Sequence, residues 1–169
     1  MKSETLFLRT LEEALELWRK LKPQLYEDPY LVRLLEDLRE ALAETERLYR
    51  ETGAYRLCAE CAARGEPTCC GRDMELHVSR ELLLINLSLG ARLPERRAFP
   101  SGCFFLSLKG CSLPARPLLC RNFFCPWFRE RFPAEKLTLL TAAQEPEART
   151  LFLLEDYLRT LLQKNLPHP

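Results

Sequence analysis

Eight cysteines, Cys58, Cys61, Cys69, Cys70, Cys103, Cys111, Cys120 and Cys125, fall within the middle of a 169-residue chain, and they constrain its fold more than any other feature. The N-terminus lacks the basic-then-apolar layout of a secretory signal, and no apolar run approaches the roughly 18 residues needed to cross a bilayer. The expectation is therefore a soluble, cytoplasmic chain without membrane insertion. In that compartment thiols stay reduced, so ligation of a metal ranks ahead of four disulfides as the reason for so many cysteines. The same even count leaves disulfides as the alternative.

The spacing is C-x2-C-x7-C-C for the first group, Cys58 to Cys70, and C-x7-C-x8-C-x4-C for the second, Cys103 to Cys125. A C-x2-C pair serves both zinc and iron-sulfur sites, because two intervening residues let one turn present both thiolates to a common point. A four-cysteine zinc site ordinarily joins two such pairs, and this chain has one. Iron-sulfur clusters accept ligands from widely separated loops, and Cys125-Pro126 echoes the Cys-Pro that closes ferredoxin-type motifs. The reading is a metal-binding protein that carries an iron-sulfur cluster, 4Fe-4S favoured, in a redox or protein-modification role. The alternative is a Zn2+-stabilised structural or binding module without catalysis. All eight cysteines are candidate ligands. Neighbouring side chains diverge on a regular backbone, so Cys69 and Cys70 are not expected to serve one metal together. A labile thiol switch at that pair is a third possibility.

Formal net charge is +1, which gives no ground for nucleic-acid binding. The distribution is less even, since residues 58–132 hold 11 Lys/Arg against 7 Asp/Glu. Arg116 and Arg121 are the candidate cluster- or anion-binding residues, with Arg129 and Arg131 close behind, because guanidinium groups offset the negative charge of a thiolate-bound centre. Phe104, Phe105, Phe123, Phe124, Trp127, Phe128 and Phe132 could wall the second group from water. His77 is a further possible ligand among only two histidines. With 6 glycines and no Gly-rich loop, nucleotide-dependent chemistry has no sequence support, and no Ser/His/Asp arrangement is legible. Whether the chain is an enzyme stays open.

Periodicity indicates a mostly α, single small domain over 1–169, with two irregular cysteine-rich loops converging on a metal centre. Residues 1–57 read as an N-terminal helical hairpin, 58–128 as the cysteine-cluster core, and 133–165 as C-terminal helices. Phe7, Leu11, Ala14, Trp18 and Leu21 form one helical face, begun at Ser3 and closed by Pro23. Asp28 and Pro29 start a second helix carrying Leu31, Leu34, Leu35, Leu38, Leu42 and Tyr49, which Gly53 ends. From Cys58 to Gly71 the periodicity is lost and a loop is expected. Ser79 opens a third helix that Gly90 terminates. Five prolines then argue against long helices up to Phe132. The tail reads as two helices, 134–144 and 146–164.

The stretch CAECAARGEPTCCG, the C-F-F-L at Cys103, and above all R-P-L-L-C-R-N-F-F-C from Arg116 to Cys125 resemble the bacterial YkgJ-type cysteine-cluster family of zinc- or iron-chelating proteins. Val78, Ser79 and Glu81 resemble that family's helix start between its cysteine groups. The resemblance covers roughly residues 58–128, with a longer gap between Cys61 and Cys69 than the family pattern. It implies metal chelation through the cysteines and a distant kinship with flagellin lysine N-methylases. Beyond the metal or cluster, a protein partner is the only partner class it leaves open.

Overall fold

A computed structural model describes residues 2–63, 69–108 and 110–165. Among them are α1 (Lys2–Glu27), α2 (Pro29–Glu51), α3 (Ala54–Ala63), a 3-10 turn (Met74–His77), α4 (Arg80–Ser88), the two-residue strands β1 (Leu106–Ser107) and β2 (Gly110–Cys111), α5 (Leu118–Asn122), α6 (Pro126–Arg131) and α7 (Ala134–Asn165). Among the described residues the fold is thus mostly α, with one small antiparallel hairpin. No helix among the described residues is long and apolar enough to cross a membrane.

Two expected helix ends are corrected. The first helix does not stop at Pro23 but continues to Glu27, and α7 runs unbroken through Pro146 where two helices were expected. A proline inside a helix forfeits one backbone bond and crowds the preceding turn, at a cost of about 3 kcal/mol. Burial outweighs it here, because the apolar stripe stays in phase across each proline. In α1 the stripe Phe7, Leu11, Ala14, Trp18, Leu21 continues to Leu25, which is fully buried. In α7 Leu140, Gln144, Glu147, Leu151, Leu154, Leu158 and Leu162 are all buried at alternating helical spacings. The Thr45 hydroxyl of α2 also donates to the Ala143 carbonyl, 3.2 Å, beside the proline break. The helix begins at Lys2, ahead of Ser3, whose side chain lies outside the described set.

Other local signals act as read. The Asp28 carboxylate accepts from the amides of Tyr30 and Leu31, at 3.0 and 2.9 Å, with Pro29 at the first helical position. The Tyr157 hydroxyl of α7 donates to its other oxygen, 2.6 Å, so the cap also ties the start of α2 to α7. Gly53 takes the left-handed conformation (φ +81°) that ends α2, and Gly90 (φ +85°) does the same after α4. Ser79 caps α4 by accepting from the Leu82 amide.

α4 is the central element, with Leu82, Leu83, Leu84 and Ile85 fully buried. It packs between α1 and α7, while α2 lies along α7. The main core joins these four helices to Phe104, Phe105, Leu113 and Ala115 of the cysteine region. A second, smaller core unites Tyr49, Ala54, Phe128, Phe132 and Leu140. Cys103 and Cys111 pack against the main core and Cys125 against the smaller one.

Candidate metal centre

Cys58 and Cys61 do not lie in a loop as expected. They occupy α3, a helix started by the turn at Gly53 and anchored by fully buried Ala54 against Tyr49, Phe128 and Phe132. The helix is built largely of alanine and cysteine, small side chains that carry only a weak apolar stripe. In a helix the C-x2-C spacing becomes i, i+3, which sets both thiols on one face, one turn apart. Residues 64–68 of the expected loop lie outside the described residues.

The chain next returns at Cys69 and Cys70, held to the second group by backbone bonds. The Cys103 amide donates to the Cys70 carbonyl at 2.8 Å, and the Arg72 amide to the Ser101 carbonyl at 2.9 Å, around an antiparallel bridge between Gly71 and Gly102. Gly102 sits in a tight spot, since a Cβ there would lie 3.0 Å from a Leu106 methyl and 3.2 Å from the Phe99 Cβ, so both would have to give by a few tenths of an ångström. The β1–β2 hairpin then sets Cys111 opposite Leu106, and the Leu106 amide donates to the Cys103 carbonyl, 3.0 Å. Cys120 lies in α5, and Cys125 immediately precedes α6 at its N-cap position.

Each of the eight cysteines lies in electrostatic reach of others. The charge of Cys58 is sensed with those of Cys69, Cys125 and Cys61, and that of Cys70 with those of Cys111, Cys103 and Cys120. The Cys69 thiol donates a hydrogen bond to the Cys70 sulfur, which pushes the first up and holds the second below the usual thiol range. The expectation that these neighbours diverge is therefore corrected, because the chain turns there. Desolvation pushes Cys58 up to about 11 and Cys103 up to about 12, and neighbouring thiols add to both. Cys120 is raised by the same causes. Such thiols hold their protons at neutral pH until a metal displaces them.

Arg116 is the cation of the site. Its burial would lower its pKa, but the charges of Cys111, Tyr55, Glu46 and Tyr49 outweigh that and raise it. The loop that carries it is pinned by Asn86 of α4. The side-chain amide of Asn86 donates to the Ala115 carbonyl at 2.9 Å and accepts from the Ala115 amide at 3.0 Å. Arg121 is employed differently. It is 4% exposed and bound to buried Glu147 of α7 at 2.7 Å, over the Tyr49 ring. Its charge reaches Cys120, yet its hydrogen bonds go to the protein, so it clamps α5 to α7. The cavity between Arg116, Arg121, Gln144 and Glu147 measures about 10 Å3, too small for a substrate. Arg129 and Arg131 are exposed and turn to the Phe124 and Trp127 carbonyls.

The aromatic residues divide between the two cores. Phe104 and Phe105 pack with Phe7, whereas Phe124, Phe128 and Phe132 stack in sequence at 5.2 and 4.6 Å. Phe123, expected in the wall, is 52% exposed, because the short α5 turns it outward. His77 is exposed at the end of the 3-10 turn. Two residues that the sequence did not single out matter beside Cys103. Glu75, 1% exposed, pairs with Arg97, which also donates to the Gly102 carbonyl, and Glu75 accepts from the Phe104 amide at 3.2 Å. The pair brackets Cys103 on both sides, and only a buried glutamate inside an irregular segment could have hinted at it.

Among the described residues, no three cysteine, histidine or carboxylate side chains close around one point as a finished ligand shell. The donor set still suits a thiolate-ligated metal in kind: eight soft donors lie near one another, five half-buried and Cys58, Cys69 and Cys120 exposed, with half-buried Arg116 beside them. Arg116 would offset the negative charge of such a centre. Neither a family model nor a curated protein nor a solved structure matches this chain.

Proposed function

We propose that this chain is a metal-binding cysteine-cluster protein that carries an iron-sulfur centre, 4Fe-4S in type, and works in a redox or protein-modifying reaction in the cytoplasm. The observation that supports it best is that all eight cysteines, drawn from α3, α5, the start of α6, β2 and the irregular segments at Cys69–Cys70 and Cys103, lie in electrostatic reach of one another in linked groups, with half-buried Arg116 beside them. Ligands drawn from such separated segments suit an iron-sulfur cluster better than the paired knuckles of a zinc site. The resemblance to the YkgJ-type family points the same way. The cluster would supply electron transfer or Lewis acidity. The protein's own residues would back Cys103, Cys111 and Cys125 with apolar surface, balance charge through Arg116, and fix the backbone at Cys103 through Glu75 and Arg97.

The test is anaerobic purification of the full chain with visible absorption, iron, zinc and acid-labile sulfide measured in one sample. A broad visible band with equal iron and sulfide is the expected result. Stoichiometric zinc in a colourless protein would overturn the iron-sulfur reading in favour of a zinc-stabilised module. A chain that binds neither metal would overturn metal binding altogether.

A further inference from the structure

We propose that the eight cysteines build two adjoining four-thiolate metal centres, one held by Cys58, Cys61, Cys69 and Cys125, the other by Cys70, Cys103, Cys111 and Cys120, meeting at the Cys69–Cys70 peptide. The inference rests on the metal-binding reading above and adds the number of centres and the ligands of each.

One argument is capacity. A cuboidal cluster or a structural zinc ion takes four thiolates, so eight converging cysteines exceed what one centre can use. A second is the backbone. Cys58 and Cys61 share a face of α3, and α3 packs on α6, whose first residue follows Cys125. Cys125 packs against the smaller core with Tyr55 and Leu57 of α3. On the other side Cys70 and Cys103 are joined through the 2.8 Å backbone bond, and the hairpin returns the chain to Cys111. Cys103 and Cys111 both pack against the larger core. One member of the first set thus touches the smaller core, and two members of the second touch the larger.

The third argument is proximity. Within the second set every cysteine lies in electrostatic reach of the other three. In the first set Cys58 reaches Cys69, Cys125 and Cys61. The sets touch where the Cys69 thiol meets Cys70, and where Cys120 senses Cys69. The adjacent cysteines thus divide between the centres while keeping their sulfurs in contact, which brings the two metals close together. Arg116 senses Cys111 of one set and acts on Cys58 of the other, so a single cation serves both.

The experiment compares three full-length proteins purified without oxygen: the parent, Cys58→Ser/Cys125→Ser, and Cys103→Ser/Cys111→Ser. Iron, zinc and sulfide per chain are read alongside circular dichroism. The parent is expected to hold two centres, about eight iron and eight sulfide if both are four-iron clusters, and each variant about half. One centre's worth of metal in the parent overturns the proposal, as does complete loss in a variant that stays folded. Where a variant fails to fold, the parent is titrated with chelator and alkylated at intervals. Its cysteines then become reactive in the two stated groups of four, and release of all eight together refutes the division. A metal-free parent would instead overturn the reading beneath, and two zinc ions per chain would keep the division while removing the iron.

Discussion

Replacing Arg121 by methionine tests whether that residue is a clamp of the fold or a partner of the metal. The guanidinium lies 2.7 Å from the Glu147 carboxylate, with the two side chains 4% and 3% exposed. Removing one member of such a pair strands a buried charge and costs about 3–5 kcal/mol, against about 0–1 kcal/mol for a surface pair. For a chain of this size that corresponds to a fall in Tm of about 6–20 °C. Glu147→Leu alone strands the guanidinium and should cost a similar amount. The double variant Arg121→Met/Glu147→Leu leaves no stranded charge and should return to the stability of the parent or above it. Urea unfolding of all four proteins, at matched metal content, completes the cycle, since a bound metal itself shifts apparent stability. A loss below about 1 kcal/mol for Arg121→Met would refute the clamp. So would metal loss confined to Arg121→Met, with Glu147→Leu fully loaded and stable.

Two further outcomes follow from the titrating groups. Burial alone would raise the Glu75 carboxyl, but the Arg97 guanidinium and the Phe104 amide outweigh it and hold it below its ordinary value of 4.5. Its contribution is thus complete above that value and fades as pH falls through the lowered one, so Glu75→Gln should destabilise the protein at pH 7 and flatten its acid unfolding curve; an unchanged curve would contradict this. With Cys58 near 11 and Cys103 near 12, the metal-free chain keeps these thiols protonated at neutral pH. Zinc titration in weak buffer should therefore release about one proton per thiol bound, with affinity rising from pH 7 to 9, and a titration without proton release would count against thiolate ligation.

Capping chemistry and helical phase were legible without coordinates. Asp28, Pro29, Gly53, Ser79 and Gly90 act within a few residues of themselves, so their local signals hold in the folded chain. Pro23 and Pro146 misled because a proline's cost is local whereas the gain that overrides it comes from packing. The stripe that continues in phase from Leu21 to Leu25, and from Gln144 to Glu147, was the available counter-signal. For α3 there was little signal to read, since Ala54 and Cys58 carry almost no apolar pattern and the helix depends on what Phe128, Phe132 and Leu140 place against it.

The sequence by itself determined that the chain is mostly helical, where most helices begin, and that the cysteines are the chemically unusual part, because these follow from side-chain type and short-range spacing. Only the tertiary structure decided that Cys58 and Cys61 share a helical face, that Cys70 is tied to Cys103, and that Arg121 faces Glu147 while Arg116 faces the thiols. Those pairings join residues far apart in the chain, and nothing in their spacing encodes them. They arise because two apolar cores pack side by side and bring the polar segments between them to one seam.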